Sequence, residues 1–189
     1  MKRVTMILGA AILISSTCFS QRTLKPGIGV NWTDFSEKAS GDAKSEVGWQ
    51  VGGSIAFQKK RLYWEPGIFY VGKATGYSGD SVTGDFDAKL NGVRIPIAIG
   101  LSVIGDVKSG IALRVFGGPS AFFVTSVGGM NKDNVETFHF GLFAGAGIDF
   151  WKLFLDATYE WGMTNTQKDN ATPDLGKPRS LFLTAGLRF

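Results

Sequence analysis

The chain has 189 residues, with 26 glycines, 15 phenylalanines and a formal net charge of +4, to which Lys2 and Arg3 contribute two charges. No run of lysines and arginines accompanies this charge, so it does not indicate a nucleic-acid partner. The single cysteine, Cys18, lies before the predicted mature chain, which excludes disulfides and thiolate metal sites there. The glycine and aromatic content is unusual for a helical protein and favours a β-barrel.

Residues 1–20 have the three parts of a secretory signal: a basic start, an apolar run too short to span a bilayer, and a small, polar exit. Cleavage is predicted between Ser20 and Gln21. The alternative is a lipoprotein acylated at Cys18, which the neighbouring residues fit poorly. We therefore predict a signal peptide at 1–20 and one domain at 21–189, in which no stretch approaches the roughly 18 apolar residues of a membrane helix.

Eight segments of the mature chain alternate between an apolar face and a small or polar face, which is the period of a β-strand. They span residues 24–35, 46–57, 62–72, 89–101, 110–125, 138–150, 153–164 and 180–189. Pro66, Pro96 and Pro119 lie within three of them and predict bulges or gaps in strand pairing. The connections alternate long and short, beginning with a long one, so both ends of the mature chain fall on the short-turn side.

Seven charged residues within these segments share the face opposite the large aliphatic residues. They are Glu65, Arg94, Arg114, Asp149, Asp156, Glu160 and Arg188. In a soluble barrel the charges face water, whereas in a membrane barrel the apolar face meets lipid and the charges face the lumen. The predicted fold is therefore all-β: an eight-stranded antiparallel up-and-down transmembrane β-barrel with long extracellular loops and short periplasmic turns.

A lumen that holds these charges is expected to be plugged, because unpaired buried ions are costly. From adjacent strands we expect three pairings: Glu65 with Arg94, Arg114 with Asp149, and Arg188 with either Asp156 or Glu160. The last segment ends in Leu187 and Phe189, an apolar, aromatic terminus that resembles the C-terminal insertion signal of outer-membrane β-barrels. Aromatic residues fall near both ends of the predicted strands, as in an interfacial belt.

Six stretches carry a resemblance to a known family: LYWEPGIFYVGKATG, VRIPIAIGL, GGPSAFFV, HFGLFAGAGIDF, LDATYEWGMTN and SLFLTAGLRF. The step from Ile95 to Pro96 and the Gly-Gly-Pro step ending at Pro119 are the more specific marks. With them, and with a mature start at Gln21, the chain resembles the PorT-like outer-membrane β-barrel family of Bacteroidota, which is porin-like in architecture. The resemblance implies an eight-stranded barrel, usually without an assigned activity, whose namesake assists type IX protein secretion.

We expect no catalytic, cofactor or metal site. The single histidine, His139, lies near Ser126 and Glu136 in sequence, which leaves a rim-sited hydrolase as an alternative. The acidic residues Asp80, Asp85 and Asp87 could gather Ca²⁺ or bridge to lipopolysaccharide, although their spacing matches no known ion loop.

The sequence thus favours a non-enzymatic outer-membrane protein, structural or accessory to an envelope assembly and possibly to secretion. A small pore or transporter is a further alternative, which the charged lumen disfavours. The expected partners are outer-membrane lipid and lipopolysaccharide, the barrel-assembly machinery during insertion, and secretion-system proteins, with no nucleic acid.

Overall fold

The computed structural model describes residues 21–35, 42–45, 47–78, 86–105, 110–128, 136–164 and 178–189. They form nine β-strands: β1 (Gln21–Phe35), β2 (Asp42–Ser45), β3 (Val47–Lys59), β4 (Leu62–Ser78), β5 (Phe86–Ile104), β6 (Ile111–Gly128), β7 (Phe138–Phe150), β8 (Leu153–Gly162) and β9 (Pro178–Leu187). The predicted signal peptide, 1–20, lies outside the described residues. In the described part of the chain, no helix has the length and apolar character needed to cross a bilayer.

Eight of these strands close into a barrel. Successive strands from β3 to β9 pair antiparallel, and β1 pairs with both β3 and β9. The first and last of the eight strands are therefore neighbours, and the sheet is closed. The short β2 pairs with the far end of β4 and so lengthens the wall beside β3. The eight-stranded antiparallel barrel predicted from the sequence is confirmed.

The strands on either side of the second predicted long loop are longer than expected. That loop was predicted at residues 73–88, but β4 and β5 stay paired from Lys73 with Leu90 to Tyr77 with Phe86. The first predicted loop, 36–45, likewise contains β2. Glycine and polar residues indicate a loop by local composition, but here the partner strand supplies the hydrogen bonds and overrides that preference.

Pro66, Pro96 and Pro119 interrupt the ladder without shifting it. Between β3 and β4, pairing stops after Ser54 with Gly67 and resumes at Phe57 with Trp64, so the gap lies at Pro66 and the register is unchanged. Pro96 and Pro119 lie at similar gaps, on the β4 and β5 sides of their strands. Proline has no N–H to donate, so one side of the strand loses its bond. The alternative of bulges at these prolines is therefore wrong.

The two faces of the barrel wall differ sharply in polarity. Large aliphatic side chains point outward and are exposed, for example Ile28 at 66 %, Ile68 at 61 % and Ile148 at 52 %. The buried, inward face instead carries polar and charged residues, together with several aromatic rings. This arrangement is the reverse of a soluble barrel, in which apolar side chains fill the interior and charges face water.

Closure of the barrel depends on close backbone approach at Gly186 in β9. A Cβ atom added there would lie 2.7 Å from the Cα of Gly27 in β1 and 2.6 Å from the ring of Phe154 in β8. Gly128 at the end of β6 is a matched position, because an added Cβ would meet only Lys89, at an ordinary 3.5 Å.

We therefore expect Gly186→Ala to lower the free energy of unfolding by about 1–3 kcal/mol, the usual cost of overpacking. Gly128→Ala should change it by less than about 0.5 kcal/mol, as surface substitutions do. Denaturant unfolding of the two refolded variants, followed by tryptophan fluorescence, measures the difference. Equal midpoints would contradict the close packing at the closure.

Candidate functional site: the charged lumen

Six charged side chains form one ionic cluster near the short turns, here called the lower cluster: Lys25, Glu65, Arg114, Asp149, Asp156 and Arg188. The first five come from five different strands, and Arg188 directly follows β9. Lys25 Nζ lies 2.9 Å from Glu65 Oε1 and 3.1 Å from Asp156 Oδ2. Arg188 Nη1 lies 3.0 Å from Asp149 Oδ2. Three cations face three carboxylates, so the cluster is neutral overall.

Arg114 is the centre of the lower cluster. Its guanidinium lies 2.6 Å from Asp156 Oδ1, 2.9 Å from Asp149 Oδ2 and 3.7 Å from Glu65 Oε2. It also donates to the hydroxyl of Tyr63, at 3.2 Å. A planar guanidinium presents five N–H donors in fixed directions, and this allows one side chain from β6 to join β4, β7 and β8.

A second group, here called the upper cluster, lies further from the short turns and consists of Lys73, Arg94, Glu160 and Ser120. Arg94 Nη2 lies 2.7 Å from Glu160 Oε2, and the Ser120 hydroxyl donates to the same oxygen at 2.7 Å. Lys73 Nζ lies 3.9 Å from Glu160 Oε1. Two cations therefore share one carboxylate among the described residues.

Aromatic rings supply further stabilisation to these two cations. Lys73 Nζ lies 4.8 Å from the ring centroid of Phe122, and Arg94 Cζ lies 4.4 Å from that of Phe182. Cation–π contacts of desolvated groups contribute on the order of 2 kcal/mol. The two rings belong to a buried apolar group that packs in the same part of the lumen: Phe69, Val71, Leu90, Phe122, Val124 and Phe182.

A cavity of about 50 Å³ separates the two clusters. Carboxylates of the lower cluster, Glu65 and Asp156, line one side of it, and Arg94 of the upper cluster lines another. The volume is enough for very few water molecules. The described lumen therefore contains two ionic layers with a small gap between them, which polar and apolar side chains line together.

All seven charged residues predicted for the lumen lie inside the barrel, but two of the three expected pairings are wrong. Arg114 and Asp149 do pair. Glu65, however, pairs with Lys25 and Arg114, while Arg94 pairs with Glu160 across the barrel. The strand register explains this, because Glu65 lies opposite Ala98 in β5 and Arg94 lies four residues beyond it, about 13 Å along the strand.

The third expected pairing fails for the same reason. Asp156 lies opposite Thr184 in β9, so Arg188 is four residues closer to the short turns and contacts Asp149 instead. In a narrow barrel, two charged side chains can pair when they lie at the same height along the barrel axis. Because the strands are tilted, residues from non-adjacent strands can lie at the same height.

Two lumen cations, Lys25 and Lys73, are absent from the predicted network. Lys25 has the same strand phase as Gly27 and Asn31, so the alternation in β1 carried the signal for an inward position. It is 2 % exposed and touches the ring of Phe154 at 4.3 Å. Lys73 lies in a segment that the sequence predicts to be a loop. In the structure β4 extends past this residue, and Lys73 points into the lumen like Phe69 and Val71 on the same strand.

His139 lies on the inward face of β7, 7 % exposed, with its ring 6.0 Å from that of Phe122. Its register partner on β6 is Phe122, whereas Ser126 is exposed four residues further along, about 13 Å away. Within the described residues, no hydrogen bond joins the side chain of His139 to the side chain of Ser126 or of Glu136. The structure therefore does not assemble these three groups into a hydrolytic triad.

The remaining candidate residues are the three loop aspartates and the apolar pair at the C-terminus. Asp80 and Asp85 lie outside the described residues, and only the backbone of Asp87 is described. Across the described ranges, no three His, Cys, Asp or Glu side chains are arranged so that they could hold a metal ion. Leu187 and Phe189 point outward, 44 % and 67 % exposed, and the backbone of Phe189 exchanges two 2.9 Å hydrogen bonds with that of Leu24.

Glu160 is the carboxylate that Arg94 and Lys73 share, so substitutions at Glu160 and Lys73 test the ion pairing of the upper cluster. We expect Glu160→Gln to lower the free energy of unfolding by about 3–5 kcal/mol, since two buried cations lose their counter-ion. Lys73→Met should cost much less, because Arg94 still pairs with Glu160 and the methionine keeps the contacts with the rings. Denaturant unfolding of both variants measures this order, and the reverse order would contradict the assignment.

Comparison with known proteins supports the fold. The outer membrane protein OprG from Pseudomonas aeruginosa superimposes with a TM-score of 0.56 at 10 % sequence identity, over 90 % of this chain and 94 % of that one. Ail of Yersinia pestis, solved with the heparin analogue sucrose octasulfate, gives a TM-score of 0.47 at 17 % identity, over 89 % and 99 % of the two chains. The N-terminal β-barrel domain of Pseudomonas aeruginosa OprF gives 0.45 at 13 % identity, over 88 % and 97 %.

No family model and no curated protein sequence matches the chain. At sequence identities this low, a structural similarity shows a common fold and nothing about function. The two similarities with TM-scores below 0.5 support no argument. The similarity to OprG therefore shows that the chain shares the architecture of a closed, eight-stranded antiparallel β-barrel.

Proposed function

We propose that this chain is a non-enzymatic, integral outer-membrane β-barrel protein with a plugged lumen, exported by the signal peptide predicted at residues 1–20. The observation that carries the proposal is the reversed polarity of the wall. An outward face of exposed aliphatic residues would be unfavourable in water but is the expected surface in lipid. The strands of the ring, at 10–19 residues, are also long enough for a tilted membrane strand of about 9–11 residues.

Aromatic residues at both ends of the wall support a position across a bilayer. Five lie towards the short turns: Phe57, Trp64, Phe150, Trp151 and Phe189. Four lie towards the opposite end: Trp32, Trp49, Phe138 and Trp161; Tyr70, in the middle of β4, packs against Trp49. Several form pairs, such as the rings of Phe57 and Trp64, which stack at 4.9 Å. Tryptophan and tyrosine concentrate at membrane interfaces because their rings are apolar with a polar edge.

The plug is supported by how the lumen charges contact one another. The lower cluster is internally neutral and joins five strands with Arg188, which directly follows β9, and the upper cluster packs among phenylalanine rings. An open pore requires a continuous column of water, whereas the cavity between the two clusters holds only about 50 Å³.

A structural or accessory role in an envelope assembly follows as the finer part of the proposal, together with membership of the PorT-like family of Bacteroidota. The resemblance of the sequence segments supports this, and secretion-system proteins are the partners it suggests. Chemical crosslinking in intact outer membranes, followed by purification of the tagged protein, tests the role. Recovery of the barrel with lipopolysaccharide alone would favour a structural role over secretion.

A depth-dependent substitution tests the membrane position. Leu183 points outward from the middle of β9, whereas Ile104 points outward at the short-turn end of β5. In lipid vesicles, we expect Leu183→Arg to lower the free energy of unfolding by about 2–4 kcal/mol and Ile104→Arg by about 0–1 kcal/mol. Equal effects of the two arginines would contradict a bilayer centred on the middle of the strands.

The plug makes a separate prediction for ion conduction. Purified protein inserted into a planar bilayer should show no steady conductance, because both ionic clusters fill the section of the barrel. Insertion is checked by protection of the strands from added protease, and a trimeric porin serves as the conducting control. A steady, reproducible conductance step would overturn the plugged lumen and favour a small pore.

A further inference from the structure

A depression on the outward face of the barrel centres on Ala185. Its register partners are Ile28 in β1 and Leu155 in β8, and its outward neighbours along β9 are Leu183 and Leu187. One small side chain among four large ones leaves a hollow in the wall. Two apolar grooves, of about 480 and 520 Å³, meet there and share Ile28, Leu155 and Ala185.

One of these grooves runs from Ala185 to the short-turn end of the barrel. Phe150, Leu153 and Leu187 line the end of this groove that is nearest the short turns. Phe150 and Leu153 flank the two-residue turn between β7 and β8, which consists of Trp151 and Lys152. The groove therefore ends next to this turn, at the level where a bilayer would place its headgroups.

The turn holds an exposed tryptophan in a conformation that bulky residues rarely adopt. Trp151 has a φ of 53° and is 73 % exposed. A left-handed backbone at a non-glycine residue costs about 1–2 kcal/mol. Its N–H donates to the carbonyl of Gly110, and the carbonyl of Lys152 accepts from the N–H of Arg188 at 2.8 Å. These bonds fix the turn, with Lys152 Nζ 5.7 Å from the centre of the Trp151 ring.

The charge at the two short turns that the structure describes is of one sign. At the two short turns that the structure describes, the charged side chains are all basic and exposed: Lys59, Lys60, Arg61 and Lys152. An apolar groove that ends at a fixed aromatic ring and a cation complements a molecule with an acyl chain and an anionic headgroup. Tryptophan favours this interfacial depth, and each cation near an anionic lipid surface favours binding about fivefold.

We propose that this face binds an anionic phospholipid of the periplasmic leaflet, with an acyl chain over Ala185 and the phosphate at Lys152 beside Trp151. The inference rests on the proposed membrane position. It adds a lipid site of defined charge on the outer wall, separate from the charged lumen.

Native mass spectrometry of the full mature barrel tests the site. The protein is released from micelles that contain phosphatidylglycerol and phosphatidylcholine with the same acyl chains, in equal amounts. We expect the phosphatidylglycerol adduct to exceed the phosphatidylcholine adduct by about fivefold, and Lys152→Gln to remove most of that preference. Lys60→Gln is the matched control, since it makes the same charge change at the other described turn.

A second pair of variants tests the groove. Ala185→Leu fills the hollow and should reduce the adducts of both lipids, whereas Ala144→Leu, at an exposed outward alanine of β7 that lines neither groove, should not. Equal retention of the two lipids by the unaltered protein would overturn the site. So would equal effects of the two lysine variants, or adducts unchanged by Ala185→Leu.

A preceding measurement separates this inference from the proposed function. Each protein is first refolded into vesicles and its insertion is scored by protection from protease. Failure to insert would overturn the membrane position and the lipid site together. Insertion without a preference for phosphatidylglycerol would overturn the lipid site alone.

Discussion

The structure depends on mutual neutralisation of charges within a space too narrow for bulk water. Arg114 contacts three carboxylates at once, and Lys25 and Arg188 complete the charge balance of the lower cluster. Taking any of these ions out of water alone would cost several kcal/mol, and the network offsets that cost only because every charge meets its counter-charge. The cluster thereby couples strands that share no backbone ladder, such as β1 with β4 and β6 with β8.

Small residues make room for this network. Gly147 in β7 lies against both the Asp156 carboxylate and the Arg114 guanidinium, so that a side chain there would displace the ion pair. Aromatic rings cover other inward glycines, as Tyr63 covers Gly100. The interior of an eight-stranded barrel is just wide enough to be filled by side chains, and long cations therefore need glycine partners on the facing strands. The high glycine content and the buried charges are two parts of one packing solution.

The sequence was sufficient for the fold but not for the contacts. Strict alternation along β7 and β8 identifies both faces, because a shift by one residue would expose every buried charge to lipid. Partner choice was not predictable, since it depends on strand stagger. Arg94 reaches Glu160 across the lumen and not Glu65 on the next strand. Lys73 was missed because glycine and polar residues around it resemble a loop, although the pairing of β4 with β5 extends past it.

Because the lumen charges pair with one another, they limit which surfaces of the protein can bind a partner. In the lower cluster the carboxylates and cations are engaged with one another, and the cavity above them is too small for a ligand larger than water. Binding energy for a partner must therefore come from surfaces that the network leaves exposed, namely the outer wall and the ends of the barrel. On the described part of those surfaces, two apolar grooves of the outer wall meet at the hollow of Ala185. One of these grooves runs from that hollow to the one described turn that combines a cation with a strained, exposed tryptophan. The outer wall near the short turns is thus the described surface with the most specific chemistry, and a lipid is the partner whose shape and charge match it.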